Sequence, residues 1–507
     1  MSISWPRNPH IYELNTRIWL RDLSLKYGKA IELSNVPNEE LEALKKLGFD
    51  ALWLMGAWLP SPKGEEIARS HRDLRTEFER ALPDLKEEDI ASSPYAVYDY
   101  FINPAIGGEY GMRMLRQAMH ACDLRLILDF VPNHTAIDHP WLTIHPEYYV
   151  TTDEQELLNN PDTYFEVTAS DGVRSIIAHG KDPYYPAWTD TAQLNYFNPS
   201  LISQMIEVLL QIASKSDGVR CDMAMLILKD IHYRIWGKRL FNGLSEGKAP
   251  PEEFWARAIR EVKEKHPDFL FIAETYWMRE GELQSLGFDY TYDKPLYDWL
   301  KSGESYKIAE YIKGPLFYQE RCLRFIENHD EERAHSAFGA EPGKSAALLI
   351  STLPGCHLYH EGQLEGYFSR CPVQLSRRRV ETIDTAIREY YESLLSIVTG
   401  ETFRKGTWTP LDTYPAWEEN FTYRHFIIYL WDYRESLYLV VVNYSPERSQ
   451  CYVPLPFKEF LNSTCILEDL LEENHYERDG DILSTKGLYL DMRAFYRHLF
   501  EIKLLKK

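Results

Sequence analysis

Short apolar runs alternate with amphipathic segments along most of the chain, and this pattern predicts its architecture. We expect strands at residues 12–20, 49–56, 124–130, 217–224, 269–275, 288–293, 323–330 and 356–362. Segments with helical spacing of apolar residues, such as GMRMLRQAMHACD and ISQMIEVLLQIAS, lie between most of these runs. Apolar strands that alternate with amphipathic helices indicate a parallel sheet, and eight such units indicate a closed (β/α)8 barrel, the TIM barrel.

An open, doubly wound sheet is the alternative arrangement for the same alternation of strands and helices. That fold favours a glycine-rich phosphate loop after its first strand. The segment ELNTRIWLRDL, which covers most of the first predicted strand and the residues directly after it, contains no glycine. The closed barrel is therefore the preferred interpretation.

Two regions depart from the strand–helix alternation. Residues 135–216 separate the third and fourth predicted strands and are far more than one helix needs, so we expect an excursion domain at 135–199 on the barrel rim. After residue 405 the pattern changes to alternating strands, which predicts a C-terminal antiparallel β-domain at 406–507. The barrel itself is then expected to consist of residues 1–134 and 200–405.

Composition narrows the range of partners. The net charge of −21 disfavours nucleic acid and anionic membrane surfaces as partners, and apolar runs such as LYLVVVN are too short to span a bilayer. No signal-peptide pattern is visible, and seven cysteines without a C-x-x-C pair predict reduced thiols, so we expect a cytoplasmic protein. The 34 Tyr and 13 Trp residues suit a cleft that binds sugars.

Acidic residues recur where predicted strands end. Asp129, Asp222, Glu274 and Asp330 stand at or next to the carboxyl ends of four strands, and these ends converge on one mouth of a barrel. A single carboxylate in such a place is commonly a cap or an ion-pair partner. Several together repel one another, and this favours a catalytic role for them.

Two carboxyl groups with different pKa values suit glycoside hydrolysis, since one attacks the anomeric carbon while the other protonates the leaving oxygen. His134, His329 and Arg220 lie beside these carboxyls in the sequence. Their N–H groups can hold sugar hydroxyls and keep a carboxylate ionised. Each of the three also has a structural interpretation, as a buried histidine or an ion-pair arginine.

Four motifs in this order resemble the signatures of the α-amylase family, glycoside hydrolase family 13. They are DFVPNH, GVRCD, IAET and FIENHD, and SPYAVYDY is similar to the segment that carries the family's sugar-stacking tyrosine. The resemblance extends from about residue 10 to the end of the chain. It implies a barrel with an excursion domain and a C-terminal β-domain.

The resemblance also implies roles for individual residues. Asp222 is expected to be the catalytic nucleophile, Glu274 the general acid and then base, and Asp330 the carboxylate that binds substrate hydroxyls. The expected substrate-binding residues are Tyr95, His134, Arg220, His329 and Trp277. For Trp277, which follows the glutamate motif, a core position is an equal alternative.

Calcium is a frequent companion of this family, but two positions argue against it here. Met225 and Leu226 stand where many members have a Lys-His pair that binds sugar and helps to hold calcium. Asn133 remains a possible oxygen ligand, although a hard cation needs about six or more such ligands. We therefore expect no cofactor and assign no metal ligand.

The resulting prediction is a retaining hydrolase that cleaves α-glucans or malto-oligosaccharides through an aspartyl glycosyl-enzyme. A glucan transferase of the same family, of the 4-α-glucanotransferase or maltosyltransferase type, is the alternative. The segment DHPWLTIHPEYY, which resembles some maltosyl-transferring members, favours it. A non-catalytic sugar-binding relative is less favoured, because all three carboxylates are present.

Overall fold

Eight parallel strands close into a barrel in the computed structural model, which describes residues 4–170, 172–242, 249–455, 457–472 and 474–506. The barrel strands, numbered here in chain order, are His10–Asn15, Ala51–Met55, Arg125–Phe130, Gly218–Cys221, Leu270–Ala273, Tyr290–Tyr292, Cys322–Arg324 and Cys356–His360. Each strand pairs with its neighbours in sequence, and the first also pairs with the eighth. The predicted (β/α)8 barrel is therefore confirmed.

Helices cover the outside of the barrel and return the chain from one strand to the next. The principal ones are Thr16–Tyr27, Asn38–Lys46, Gly108–Ala121, Pro199–Lys215, Lys229–Trp236, Phe254–Lys265, Glu280–Ser285, Lys294–Ser302, Ser305–Ile312, Ala340–Thr352 and Thr385–Val398. Their apolar faces pack against the strands in one continuous core. Among the described residues, no helix is both long enough and apolar enough to cross a membrane.

Side chains fill the inside of the barrel, so its floor is solid. Ile11, Trp53, Ile127, Ile272 and Leu358 belong to one cluster of buried residues in the interior. Apolar packing on both faces explains why the strands read as continuous apolar runs. A few buried polar side chains, such as Glu13 and Arg220, also lie within the strands.

The first strand is shorter than its apolar run suggested. The predicted strand at 12–20 is wrong beyond Asn15, where the helix Thr16–Tyr27 begins. The Asn15 side chain caps this helix by accepting a hydrogen bond from the Ile18 amide, 3.4 Å away. Such a cap satisfies an amide that has no partner within the helix.

Two insertions rise above the mouth of the barrel. After the second strand come the helices Pro62–Ser70 and Arg72–Ala81, followed by the strand Val97–Ile102, which pairs with Trp58–Pro60. After the third strand, residues 135–199 carry a three-stranded sheet of Thr151–Thr152, Arg174–Ala178 and Tyr164–Thr168. The strand Thr191–Gln193 then returns to pair with His134–Ala136 at the barrel rim.

The chain ends in an antiparallel β-unit, as predicted. Its six-stranded sheet has the order Thr407–Pro410, Phe426–Tyr433, Ser436–Asn443, Arg497–Lys506, Ser463–Asp469 and His475–Asp479, and Ser449–Val453 pairs with Leu488–Met492. The Tyr444 hydroxyl donates to the Leu300 carbonyl at 2.8 Å, and the Trp431 indole donates to the Thr352 carbonyl at 2.7 Å. This unit is therefore packed firmly onto the barrel helices.

Candidate active site

Asp222 and Glu274 each follow directly on a barrel strand, the fourth and the fifth. The Asp222 amide donates to the Phe130 carbonyl at 2.8 Å, and the Glu274 amide donates to the Cys221 carbonyl at 3.0 Å. The sheet pairing thus continues one residue past the strands and fixes both backbones. Because the two strands are parallel neighbours, both side chains reach the same mouth of the barrel.

Arg220 lies fully buried between the carboxylates. Its Nη1 is 2.8 Å from Asp222 Oδ1, and its Nη2 is 2.7 Å from Glu274 Oε2. A third carboxylate, Asp129, lies 3.6 Å from Nη1. The guanidinium also stacks near the Trp53 and Tyr95 rings, at 5.1 and 5.2 Å from their centroids. One cation therefore holds two carboxyl groups side by side in a site with almost no solvent access.

Glu274 has further partners that fix its orientation. The Met223 amide donates to Oε2 at 2.6 Å, and the Tyr276 hydroxyl donates to Oε1 at 2.8 Å. Met223 adopts a left-handed backbone conformation with φ of 41°. A non-glycine residue in this region is strained, and such strain persists where the surrounding structure holds it. Here it directs the Met223 amide toward Glu274.

The charges around Arg220 do not balance, and Asp222 shows the effect. Burial and the neighbouring Glu274 carboxylate raise the pKa of Asp222 from its usual 3.8 to about 8, although Arg220 opposes the change. Burial also raises the pKa of Asp129, to about 6. The raised pKa favours the protonated form of Asp222 in this crowded, buried position.

His329 and Asp330 form a second charged group beside this pair. His329 Nδ1 lies 2.5 Å from Glu13 Oε1, and its Nε2 lies 3.0 Å from Asp330 Oδ2 and 2.8 Å from the Tyr95 hydroxyl. Burial alone would lower the pKa of His329, but Asp330 and Glu13 raise it to about 10. Burial alone would raise the pKa of Asp330, but the positive charge on His329 outweighs this effect and keeps that pKa below its usual range. Asp330 stays ionised and its side chain is 45% exposed.

Six of the eight predicted site residues are joined by these contacts: Asp222, Glu274, Asp330, Arg220, His329 and Tyr95. His134 lies one step away, where it hydrogen bonds to the Tyr95 backbone and its ring is 5.3 Å from the Trp188 ring. Burial lowers the pKa of His134 to about 4, so it is neutral at pH 7.

Trp277 lies on the rim of the mouth, outside the carboxylate cluster. Its ring packs edge-on against Tyr184 of the excursion segment, with 5.3 Å between the ring centroids. Trp277 and Met278 both adopt a left-handed backbone conformation with φ of 61°, and Tyr184 and Met278 are exposed. The Glu274 loop is thus held against the excursion segment by an aromatic contact.

Sequence reasoning missed several partners of these residues. Glu13, which supports His329, stands inside the apolar first strand, and a lone acidic residue in a buried strand was the available signal. Tyr292, 3.3 Å from Arg220 Nε, gave no signal because tyrosines are common in strands. Gln193 was also missed, and it decides whether the site can hold calcium.

The residues around Asn133 do not fit a calcium ion. Asn133 Oδ1 accepts a hydrogen bond from Gln193 Nε2 at 3.0 Å, and the same nitrogen donates to the Asn133 carbonyl at 2.8 Å. Both oxygens of Asn133 are therefore already hydrogen bonded to the Gln193 side-chain amide. Among the described residues, no group of three or more His, Cys, Asp or Glu side chains is arranged to hold a metal.

Comparison with known proteins identifies the family. The model of the α-amylase catalytic domain matches residues 38–410. The chain is 24% identical over 384 residues to α-amylase MalA of Haloarcula japonica, which covers 72% of this chain and 45% of that protein. It is 24% identical over 310 residues to an α-1,4-glucan:maltose-1-phosphate maltosyltransferase of Burkholderia pseudomallei, covering 58% of this chain and 22% of that protein.

The fold agrees with this assignment. The crystal structure of a maltogenic α-amylase, AmyB from Thermotoga neapolitana, superimposes with a TM-score of 0.67 at 20% identity and covers 97% of this chain and 98% of that chain. The family match spans well over half of the chain and confirms the resemblance noted from the four motifs. This chain belongs to the α-amylase family of glycoside hydrolases.

Proposed function

We propose that this chain hydrolyses α-glucosidic bonds in α-glucans and malto-oligosaccharides with retention of anomeric configuration. One observation carries the proposal: the Arg220 guanidinium holds Asp222 and Glu274 side by side. Retaining glycosidases need two carboxyl groups about 5–5.5 Å apart, one to attack and one to donate a proton. Two carboxyls on the two ends of one guanidinium suit that requirement.

In the first step, the Glu274 carboxyl gives its proton to the glycosidic oxygen while an Asp222 oxygen bonds to the anomeric carbon. The bond from that carbon to the leaving oxygen breaks, and its electron pair stays on the oxygen. The products are a free sugar hydroxyl and a β-linked ester on Asp222. The hydrogen bonds from Met223 and Tyr276 hold the Glu274 carboxyl in place during this transfer.

In the second step, the Glu274 carboxylate takes a proton from a water molecule whose oxygen attacks the anomeric carbon. The bond to Asp222 breaks, and the Asp222 carboxylate is restored beside Arg220. Two inversions give an α-configured product. Glu274 ends with the proton it needs for the next cycle.

The second charged group is suited to binding the sugar that is attacked. Asp330 is ionised and partly exposed, so its carboxylate can accept hydrogen bonds from two sugar hydroxyls. The Tyr95 ring, 5.3 Å from the His329 ring, offers an apolar face for stacking on the pyranose. The neutral His134 can donate or accept a hydrogen bond at the same sugar.

Transfer to a second sugar is the other candidate function. The exposed Tyr184 and its contact with Trp277 supply an aromatic surface beyond Glu274, where an acceptor sugar would stack. A relative named as a maltosyltransferase is consistent with it. Hydrolysis and transfer share the first step and differ only in whether water or a sugar hydroxyl attacks Asp222's ester.

The test is to incubate the purified protein with maltose through maltoheptaose and with soluble starch. Products are followed by chromatography and by an assay of reducing ends, and the first product is examined by NMR. Hydrolysis predicts shorter products, a steady rise in reducing ends and an initial α-anomer. Early products longer than the substrate with constant reducing ends would replace hydrolysis by transfer, and an initial β-anomer would exclude retention.

Two further expectations complete the proposal. The Gln193–Asn133 pair supports an enzyme that works without calcium, and a cytoplasmic location suits its seven free cysteines. The expectation that nucleic acid and membrane surfaces are not partners rests on the net charge alone.

A further inference from the structure

The insertion after the second barrel strand has two helices and a small buried core. We call residues 61–93 the helical wall, and it contains the helices Pro62–Ser70 and Arg72–Ala81. Phe78, Leu82 and Ile90 form a small buried core in the wall, together with Leu375 from outside it. A packed core of this kind gives the wall a defined position above the barrel.

On one side the helical wall is joined to the loop after the eighth barrel strand. We call residues 368–378 the rim loop. The Arg377 guanidinium binds both oxygens of Asp89 in the wall, at 2.7 and 2.8 Å. Ile90 and Leu375 form a bridge between the two backbones. A bidentate ion pair next to paired backbones fixes the orientation of the wall as well as its position.

On the other side the helical wall is joined to the excursion segment. The Ser61 hydroxyl donates to Asp138 Oδ1 at 2.6 Å, and the Lys63 amide donates to Asp138 Oδ2 at 2.9 Å. Ser61 also caps the first helix of the wall, since it accepts from the Gly64 amide. The wall therefore spans the rim of the barrel from the loop after strand eight to the loop after strand three.

The helical wall ends directly beside the proposed sugar-binding group. Ser93, its last residue, precedes Tyr95 by two positions and accepts a hydrogen bond from the Tyr95 amide. Arg370 of the rim loop lies 3.5 Å from Glu77 on the second wall helix. The Arg370 charge is close enough to contribute to the low pKa of Asp330. Both side chains are about half exposed and are available to a ligand.

The proposed chemistry determines which end of a substrate lies next to the helical wall. Glu274 protonates the leaving oxygen, so the leaving part of the chain extends past Glu274 and Trp277. The sugar that is attacked would lie over Tyr95 and Asp330, so the non-reducing side of the chain extends away from Glu274. Glu274 follows strand five, and strands one, two and eight lie across the barrel from it. The helical wall and the rim loop, which carry Glu77 and Arg370, follow strands two and eight and therefore lie on the non-reducing side. A longer glucan chain on that side would have to pass through the helical wall.

We propose that the helical wall closes the non-reducing side of the cleft, so that this site accepts the ends of short α-glucan chains and excludes chain interiors. This inference rests on the proposed function, since it names the part of the glucan on which the same carboxylates act. Arg370 and Glu77 are assigned as specificity residues that bind the hydroxyl groups of the terminal sugar. The enzyme then releases small products from one end of its substrate.

The test compares two forms of p-nitrophenyl α-maltoheptaoside, one with a free non-reducing end and one with that end blocked by a 4,6-O-ethylidene group. Consumption of each is followed by chromatography with the full-length protein. We expect kcat/KM for the blocked form to be lower by about 100-fold or more, an effect of roughly 3 kcal/mol. Equal cleavage of both forms overturns the inference but leaves the proposed function standing. Failure to act on either form counts against the proposed function itself.

A variant pair tests the assignment of Arg370. Arg370→Ala should raise KM for the unblocked maltoheptaoside about tenfold, because a hydrogen bond from a charged group is lost, and should change kcat much less. The matched control is Arg260→Ala, which removes an equally exposed arginine from its ion pair with Glu252 on an outer helix. The control should leave KM unchanged. An unchanged KM in Arg370→Ala overturns the role assigned to this residue.

Discussion

Replacing Asp222 by Asn removes one of the three carboxylates that crowd around Arg220, and we expect it to abolish activity while making the protein more stable. Asn keeps the shape of the side chain and the oxygen that faces Arg220 Nη1, at 2.8 Å in the native protein. It cannot form the glycosyl ester, so turnover should fall by several orders of magnitude. Replacing a residue with a structural role would instead make the protein less stable.

The magnitude follows from the charge imbalance. The pKa of Asp222 is about 8 in the folded protein against a usual 3.8, a difference that corresponds to roughly 6 kcal/mol at 1.36 kcal/mol for each pKa unit. That value is an upper bound, because the replacement also removes an ionic partner of Arg220. We expect a gain of about 2 kcal/mol, or about 2 °C in melting temperature for a chain of this size.

The pH dependence of the stability difference provides a second test of its sign. An acid whose pKa is raised by folding costs stability as the pH rises from its unfolded pKa to its folded pKa. The advantage of Asp222→Asn should therefore be small at pH 4 and should grow until about pH 8. Scanning calorimetry from pH 4 to 8, together with kcat on maltoheptaose, measures both effects.

Asp217 provides the matched control, since it lies at the opposite end of the same barrel strand. Its pKa is lowered because Arg116 and His120 bind it, despite partial burial. Asp217→Asn should lower the melting temperature at pH 7 and leave kcat nearly unchanged. The reasoning is refuted if Asp222→Asn keeps more than about a tenth of the activity, or if it loses stability as Asp217→Asn does.

Three other predictions concern the same site. Glu274→Gln should lose several orders of magnitude in kcat on maltoheptaose but much less on an α-glucosyl fluoride, whose leaving group needs little protonation; equal losses on both substrates would contradict its role as the acid. The pKa of Asp222 is about 8, so the carboxyl proton that it describes is lost above that pH; because the reaction needs one proton in the site, kcat/KM should fall on the alkaline side, and a profile that stays flat to pH 10 would contradict the raised pKa. Dialysis against a chelator should leave activity and melting temperature nearly unchanged, whereas Gln193→Leu should lower the melting temperature and Ca²⁺ should not restore it; a drop on dialysis that Ca²⁺ reverses would show that a cation is bound.

The barrel could be predicted because strands and helices each have their own hydrophobic pattern, and short segments of the sequence show it. Strands such as Arg125–Phe130 and helices such as Pro199–Lys215 each show their pattern within a dozen residues. The end of the first strand could not be placed in this way, since the apolar run continues through Ile18 and Trp19 into a helix. The Asn15 cap decides that boundary, and a cap is a single polar residue.

The candidate site could be predicted as far as its motifs reach. Asp222 and Glu274 directly follow barrel strands and Asp330 lies in the loop after the seventh strand, so the topology brings all three to the same mouth of the barrel. Glu13 could not be assigned to His329, because nothing local links residues that far apart in the sequence. The left-handed backbone of Met223 could not be predicted from the sequence either, since it is linked to the hydrogen bond that the Met223 amide makes with Glu274.

The bond between Glu13 and His329 also sets when the enzyme can become active during its synthesis. The two residues are 316 positions apart, and the first strand gains its second neighbour only when Cys356–His360 has been made. Until then the nascent chain carries an open strand edge, which invites aggregation, and a contact of such long range forms slowly. A product cut short before residue 356 lacks the eighth strand, so its barrel is open and the first strand, which carries Glu13, is not held in place beside His329. Activity therefore reports that translation has passed the eighth strand and that the barrel has closed.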